Sequence, residues 1–346
     1  MEQPIRAGVI GVGHLGAIHT RIYNEIEDIE LVGISDSDEN RLAEISNNHK
    51  TNGYIDYRDL INKVDVVSIA TPTVTHYSIA KEMLNNGIHV LLEKPITANV
   101  QEAEELVEIS HKKGVNLQIG HVERFNPAMS ALKNWVNDSL FIEAHRLAPV
   151  NLRSMDIGVV LDLMIHDLDI ILSVVNSKPK SIQAAGVNIL TPEFEDIANA
   201  RIVFENGTVA NVTASRISQN PMRRIRFFTP KGYASADFHA KQTFFLMLSE
   251  KLIDKKFDIR KIDPELLKTP MDFLFKDLIE IKKLPIQETE PLKAEIKSFI
   301  KAIVEKREPE VPGEAGLKAL RLAYQILDKI KENIQEIRHL RTDLPK

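Results

Sequence analysis

The sequence predicts an α/β protein in two parts: a doubly wound parallel sheet first, then a mostly antiparallel sheet with one helix-covered face. Three observations predict it. The first 120 residues alternate short apolar runs with helix-like stretches. A glycine-rich turn, Gly11 to Gly16, joins the first run to the first helix. After about Gly120 the rhythm changes to closely spaced strand-like runs. A chain of 346 residues fits two domains on a prior of roughly 100–200 residues each.

The apolar runs of the first part are Arg6–Ile10, Leu31–Ser35, Val64–Ala70, His89–Leu92 and Asn116–Ile119. Helical patterns at Leu15–Ile26, Ser37–Asn47, His76–Asn86 and Val100–Lys113 separate most of them. Continuous apolar strands between helices indicate a parallel sheet covered on both faces. Gly87 and Gly114 stand where helices stop. In the second part a strong helix, Val159–Val175, precedes strands at Ser181–Ile189, Ala198–Phe204, Thr208–Ser215, Arg223–Thr229 and Gln242–Leu248. Glu205-Asn206-Gly207-Thr208 is a hairpin signal between two of them. Ile253–Glu290 is charged and aperiodic, so an extended excursion or irregular strand is expected. Helices near Pro291–Glu305 and Gly313–Ile334 close the chain, joined by Lys306–Pro312 with its two prolines.

Composition removes several classes of function. With no cysteine there is no disulfide scaffold, thiolate zinc site, iron–sulfur cluster or thiol nucleophile, and a reducing cytoplasm fits. The net charge of −5 and the lack of a basic stripe argue against a nucleic-acid partner. No signal-peptide pattern opens the chain. The most membrane-like stretch, Ile157–Val175, contains Asp162, His166, Asp167 and Asp169, so it reads as a buried helix rather than a span.

The chemistry-bearing residues follow the strand ends. Gly11-Val12-Gly13-His14-Leu15-Gly16 lies between a strand and a helix, with Asp36 twenty residues after Gly16 at the end of the next strand. Gly11 allows the tight turn, Gly13 a close approach of pyrophosphate, and Gly16 tight helix–strand packing. Free N–H groups of the helix then face the phosphates. Asp36 suits both ribose hydroxyls and repels a 2′-phosphate, favouring NAD over NADP, although Arg41 is close in sequence. The alternative is a structural turn beside a surface acid. Thr71, Pro72 and His76 follow the next run, and Glu93-Lys94-Pro95 the one after, at strand ends that line the ligand crevice of such folds. A lysine there can exchange a proton with a substrate hydroxyl; the alternative is a solvated lysine before proline. Asp162, His166, Asp169 and Ser173, spaced four, three and four, share a helix face otherwise surrounded by apolar residues. They form either a proton-transfer cluster or a self-satisfied His–Asp pair, and with no second clustered histidine no metal is assigned. Arg124 and Asn126 suit substrate oxygens, or else mark a junction where Pro127 starts a helix. Arg146 and Arg153 offer cationic charge for a diphosphate.

Taken together and in this order, the Gly11–Gly16 loop, Ala70-Thr71-Pro72 with His76, Glu93-Lys94-Pro95, Arg124-Phe125-Asn126-Pro127 and Asp162-x-x-x-His166-x-x-Asp169 resemble the Gfo/Idh/MocA oxidoreductase family over essentially the whole chain. The resemblance implies a Rossmann domain over residues 1–121 and a substrate and oligomerisation domain with a large open sheet over 122–310. It implies that the last helix, 311–346, returns to the nucleotide domain. It also implies NAD as cofactor, contacted by Gly11, Gly13, His14, Leu15, Gly16, Asp36, Thr71, Pro72, His76, Glu93 and Lys94. Lys94 and His166 become the acid–base groups, with Asp162 beside them. The substrate, a sugar or sugar nucleotide, would meet Arg124, Asn126, Arg146, Arg153, Asp162 and His166, and the sheet would pair copies into a homodimer or homotetramer. Within the family, Gly120–Ala128 and Val159–Asp167 look closest to the group that oxidises the C3 hydroxyl of UDP-N-acetylglucosamine. One departure is Met164, where the family often has glycine two residues before the histidine. A dehydrogenase of a free polyol or inositol, and a non-catalytic dinucleotide sensor, are the alternatives.

Overall fold

The computed structural model describes residues 4–151, 157–190, 192–254, 278–284, 286 and 289–340, with side chains to residue 335. The chain divides into two compact units, Met1–Phe125 with Thr289–Arg321, and Asn126–Glu288 with Leu322–Lys346.

In the first unit the elements are β1 (Ile5–Ile10), α1 (His14–Glu25), β2 (Ile29–Ser35), α2 (Glu39–His49), β3 (Asn52–Tyr54), β4 (Val66–Ile69), α3 (Thr73–Asn85), β5 (His89–Glu93), α4 (Val100–Lys113) and β6 (Leu117–Gly120). The six strands are ordered β3-β2-β1-β4-β5-β6 and all neighbours run parallel. This order reverses direction between β1 and β4, which places the ligand crevice at their carboxyl ends. β3 escapes the hydropathy pattern because Asn52-Gly53-Tyr54 is short and polar. Asp38 accepts N–H bonds from Asn40 and Arg41 and so starts α2, while Asn99 does the same for α4 through Glu102.

Two domain assignments differ from expectation. The last helix, expected to return to the nucleotide domain over 311–346, belongs to the first unit only as far as Arg321, because Leu322, Ile326 and Ile330 pack in the second unit's core. The helix Pro291–Val304 was expected in the second domain, but Ile296, Phe299 and Ile300 share a core with Val9, Ile22, Tyr23 and Leu91. An amphipathic helix follows its largest apolar partner, and that partner is the α1 face of the parallel sheet. The helix Gly313–Leu340 begins against β6, where Gly313 and Gly316 approach Leu117 and Ile119.

β5 carries a pH-sensitive contact. The Asn116 N–H donates to His89 Nδ1 at 2.9 Å, so the ring is an acceptor there and must be neutral. Burial pushes the His89 pKa below its ordinary 6.5, against the pull of Asp65. The unfolded chain therefore binds more protons in the window from 6.5 down to the lowered value, and stability falls as pH falls through it. We expect His89→Asn, which keeps an acceptor and cannot titrate, to lose less thermal stability than the parent between about pH 7.5 and pH 5.5. Equal losses in parallel melting curves would show that another group governs acid sensitivity.

The second unit contains α5 (Pro127–Leu132), β7 (Phe141–Leu147), a π-helical turn (Val160–Met164) leading into α6 (Ile165–Val174), and then β8 (Pro179–Val187), β9 (Ile197–Phe204), β10 (Val209–Ser215), β11 (Met222–Thr229), β12 (Gly232–Asp237), β13 (Gln242–Leu248) and β14 (Ile279–Lys283). The eight strands are ordered β14-β13-β12-β11-β7-β10-β9-β8. β7 and β10 run parallel, and the other neighbours antiparallel. Inward residues Ile142, Ala144, Ala200, Val212, Ile225, Phe227 and Phe245 pack with Val160, Met164, Leu168 and Ile171, and with Leu322, Ile326 and Ile330. The opposite face is polar over β9 and β10, where Asn199 donates to Thr213 at 2.8 Å and Arg201 to Asn211 at 3.1 Å. It carries an aromatic row, Phe141, Phe228, Tyr233 and Phe244, across β7, β11, β12 and β13. β14 lies in the stretch expected to be irregular; the rest of that stretch is largely outside the described residues. Among the described residues no helix is long and apolar enough to cross a membrane.

Candidate active site

The glycine loop closes on itself as its residue types require. Gly11 has φ +83°, and a Cβ there would lie 2.7 Å from Thr71 Cγ2 and 2.8 Å from the Ala70 carbonyl. A Cβ on Gly16 would lie 1.8 Å from the Gly11 carbonyl oxygen, so any side chain forces α1 off the loop. Gly13 meets nothing within 4 Å, and its backbone is open to a ligand. No side chain caps α1 at Gly13, so the helix offers its first N–H groups to an anion. His14 and Leu15 are exposed on that turn. Asp36 closes the arrangement: its Oδ2 accepts the Val12 N–H at 2.8 Å and its Oδ1 the Asp38 N–H at 2.9 Å. Arg41 Nη1 stands 3.7 Å from Oδ2. An open N-terminus, a crowded turn that only glycine fits and a fixed carboxylate at the next strand end suit the phosphates and ribose of a dinucleotide.

Two further strand ends are joined behind this loop. His76 was expected to bind cofactor directly. Instead its ring is 1% exposed, with Nδ1 2.9 Å from the Pro95 carbonyl and Nε2 2.9 Å from the Thr71 carbonyl. It is a brace between the Ala70-Thr71-Pro72 and Glu93-Lys94-Pro95 loops. Burial lowers its pKa, and the carbonyls of Pro95 and Thr71 oppose that shift. Thr75 adds a hydroxyl bond to Thr71 Oγ1 at 2.8 Å. Lys94 is half-buried at the carboxyl end of β5, and its N–H points to Glu93 Oε2 at 3.3 Å. Glu93 Oε1 in turn meets His19 Nε2 at 3.1 Å. Burial pushes the Glu93 carboxyl up, but the hydrogen bond from His19 and the charge and backbone N–H of Lys94 outweigh it and hold the pKa below the ordinary carboxylate value. His19 was absent from the expected site: a lone histidine on an amphipathic helix reads as core.

In the second unit the structure corrects the picture of one continuous α-helix. Val160–Met164 forms a π turn, and the α-helix starts at Ile165. A buried acid that the sequence pattern did not reveal caps the start of this turn. Glu195 Oε1 accepts the Val160 N–H at 2.9 Å, and its carbonyl accepts the Val159 N–H at 3.1 Å. A Cβ on Gly158 would fall 2.2 Å from the same carboxylate oxygen, so glycine is required for the approach. Burial raises the Glu195 pKa, against the Val160 N–H and the Arg216 charge. The π turn widens the spacing on which the four-three-four face rested. Asp162 and His166 are half-buried, whereas Asp169 is 1% exposed and Ser173 bonds back to the Ile170 carbonyl at 2.7 Å.

The expected substrate residues separate. Arg146 points inward from β7 at 3% exposure and forks onto Asp167, Nε to Oδ2 and Nη2 to Oδ1 at 2.9 Å each. We reassign it from holding a diphosphate to holding the helix that bears His166, because a guanidinium committed to a buried carboxylate has no fork left for a ligand. Asn126 caps α5, its Oδ1 accepting the Ala128 N–H at 3.1 Å, which is the junction reading rather than substrate binding. Arg124 is half-buried in a 3₁₀ turn after β6. Arg153 lies outside the described residues.

Comparison with known proteins agrees with this geometry. Residues 5–121 match the model of the Gfo/Idh/MocA oxidoreductase family, NAD-binding Rossmann fold, and residues 143–235 match the Gfo/Idh/MocA C-terminal domain. The UDP-N-acetylglucosamine 3-dehydrogenase of Acidithiobacillus ferrooxidans is 34% identical over 96% of this chain and 99% of its own length. Its solved structure superposes with a TM-score of 0.83, at 33% identity over 95% of this chain and 98% of that one. The myo-inositol 2-dehydrogenase of Thermotoga maritima is 27% identical over 95% of this chain and 97% of its own.

Proposed function

We infer the function from one premise: this chain belongs to the Gfo/Idh/MocA oxidoreductase family, and its first unit is an NAD-binding Rossmann domain. It is an enzyme, a dehydrogenase acting on CH–OH groups. We propose that its substrate is a UDP-sugar, UDP-N-acetylglucosamine oxidised at C3. The observation that carries the choice is the full-length likeness to the dehydrogenase of that name, at 34% identity against 27% for the inositol enzyme.

The residues divide the work as follows. The Gly11–Gly16 turn and the open end of α1 hold the dinucleotide phosphates, and Asp36 accepts hydrogen bonds from the adenosine ribose. Hydride acceptance is the chemistry that NAD supplies when bound. Lys94 or His166 takes the proton of the substrate hydroxyl, and Asp162 supports the charge on that pair. His76 keeps the Lys94 loop in register with Thr71 by its two carbonyl contacts. With Arg146 committed to Asp167, we assign the diphosphate to Arg124, the half-buried member of the expected arginines among the described residues.

The deciding measurement is NADH absorbance with NAD and UDP-N-acetylglucosamine, free N-acetylglucosamine, myo-inositol and scyllo-inositol. The UDP-sugar should turn over with kcat/KM well above the others. Inositols turning over as well as the UDP-sugar would favour the free-polyol reading and discard this one.

Cofactor choice gives a second expectation. The chain should prefer NAD, because a 2′-phosphate would meet the Asp36 carboxylate. Asp36→Ser should raise KM for NAD about tenfold, the loss of a charge-assisted bond of roughly 1.5 kcal/mol. It should also narrow the gap to NADP, since the carboxylate that repels the phosphate is gone and Arg41, left with Asp38 as its carboxylate neighbour, keeps Nη1 for the phosphate. Equal NAD and NADP constants in the parent enzyme would overturn the role given to Asp36.

A further inference from the structure

Behind the Lys94 loop, three buried polar side chains and the partly buried Glu93, from three elements of the first unit, form an unbroken chain. Tyr23 on α1 places its hydroxyl 2.8 Å from Ser68 Oγ on β4. Ser68 Oγ is 3.0 Å from His19 Nδ1, and His19 Nε2 is 3.1 Å from Glu93 Oε1. Glu93 Oε2 then faces the Lys94 N–H at 3.3 Å. Tyr23 and Ser68 are 0% exposed and His19 1%. Buried polar groups of this kind are costly unless each donor meets an acceptor.

A single set of proton positions satisfies the chain with a neutral imidazole. The Tyr23 hydroxyl donates to Ser68, the Ser68 hydroxyl donates to His19 Nδ1, and His19 Nε2–H donates to Glu93. Burial raises the Tyr23 pKa, against the Ser68 bond, so its hydroxyl keeps its proton and remains a donor. The order serine–histidine–carboxylate resembles a hydrolase triad in chemistry. It is not one here, because nothing reaches a hydroxyl at 0% exposure. The second oxygen of Glu93 is also confined: a Cβ on Gly120 would lie 2.9 Å from Oε2, so glycine there leaves the carboxylate its place.

We propose that His19 is a positioning residue for Lys94, acting through Glu93 on the reading that Lys94 moves the substrate proton. Donation from Nε2 keeps Glu93 a carboxylate, aimed at the Lys94 segment from inside the sheet. Without that donor the Glu93 side chain is no longer held by α1, and the carboxylate that faces the Lys94 backbone N–H loses its fixed place. His19 also stands on α1, one turn past Gly16. The helix that offers its N-terminus to phosphate thus orients the proton-transfer loop as well.

The other titratable groups around this chain are few. His76 on α3 interacts electrostatically with Glu93, and Glu295 on the helix Pro291–Val304 with Tyr23. His121, Glu123 and Arg124 follow Gly120, the β6 partner of Glu93. None of these is altered in the test.

The test reads the proton affinity of Lys94 directly. Full-length enzyme is labelled with trace acetic anhydride across a pH series, and the Lys94 peptide is quantified by mass spectrometry against an internal amine. Glu93→Gln, which removes the charge outright, should move the labelling midpoint of Lys94 down, and His19→Leu, which frees the carboxylate from its fixed place, should move it the same way. His19→Gln, whose amide can still donate to Glu93, should restore it to within about a quarter of the full shift. A midpoint unchanged in a folded His19→Leu would overturn the proposal, whatever Glu93→Gln does, and leave the chain a packing feature. Should His19→Leu fail to fold, Ser68→Ala removes a single oxygen from the far nitrogen and should shift the midpoint the same way; no shift there overturns the proposal too. Turnover separates this from the underlying assignment. If Lys94→Ala stays active, the Lys94 reading falls whatever the labelling shows. If Lys94→Ala is inactive and the midpoints do not move, only the His19 proposal falls.

Discussion

Lys94→Ala and His166→Ala should each lower kcat for the true substrate by about 10²–10⁴-fold, the usual contribution of a positioned acid–base group. Affinity for NAD should change little, since the glycine turn and Asp36 hold the dinucleotide without either side chain. The split is the informative part. A fall in kcat with an intact NAD titration by fluorescence places the residue at the reacting hydroxyl. A loss of both would mean that the residue supports the fold. His166 is the more exposed to that second outcome. Its neighbour Asp167 is buried and paired, so a change at His166 can disturb the helix start. A near-native kcat in either variant would remove that residue from proton transfer.

Arg146→Ala should be severely destabilising. The guanidinium and the Asp167 carboxylate are 4% and 3% exposed and joined by two bonds of 2.9 Å. Removing one partner leaves an uncompensated buried charge, which typically costs about 3–5 kcal/mol. Against an overall stability of roughly 5–15 kcal/mol, that threatens folding of the second unit. The double variant Arg146→Met/Asp167→Leu removes both charges and should recover most of the loss, because well-packed apolar pairs replace buried ion pairs at little net cost. Thermal melts of the two variants and the parent distinguish the roles. If Arg146→Ala melts with the parent and instead raises KM for a UDP-sugar tenfold, the arginine belongs to the substrate after all.

The parts of the first unit that could be read in advance share one property: their signal is local. Continuous apolar strands, glycines at helix ends and the Gly11–Gly16 turn are statements about neighbours in the chain. So is Asp36, which follows a strand at a spacing that the fold itself sets. The second sheet was readable where inward positions are apolar. β7 was not, because its inward row is Ile142, Ala144 and Arg146, and a buried arginine inverts the pattern's sign. β12 was missed because its inward residues, Ala234 and Ala236, are too small to mark a face.

By itself, then, the sequence determined the parallel sheet, the dinucleotide turn, the position of Lys94 at a strand end and the family to which these belong. The tertiary structure alone decided which polar residues are tied into the framework. His76 became a brace because the Thr71 and Pro95 carbonyls converge on it from two loops. Arg146 became a support because Asp167 meets it from another element. The turn before His166 is capped by Glu195, some thirty residues on, which takes the Val160 N–H. His19 acquired partners from β4 and β5 that no spacing along α1 announces. The physical reason is the same in each case. Apolar burial depends on amount and periodicity, which a linear pattern records. A buried hydrogen bond or ion pair depends on direction and on a partner brought near only by folding.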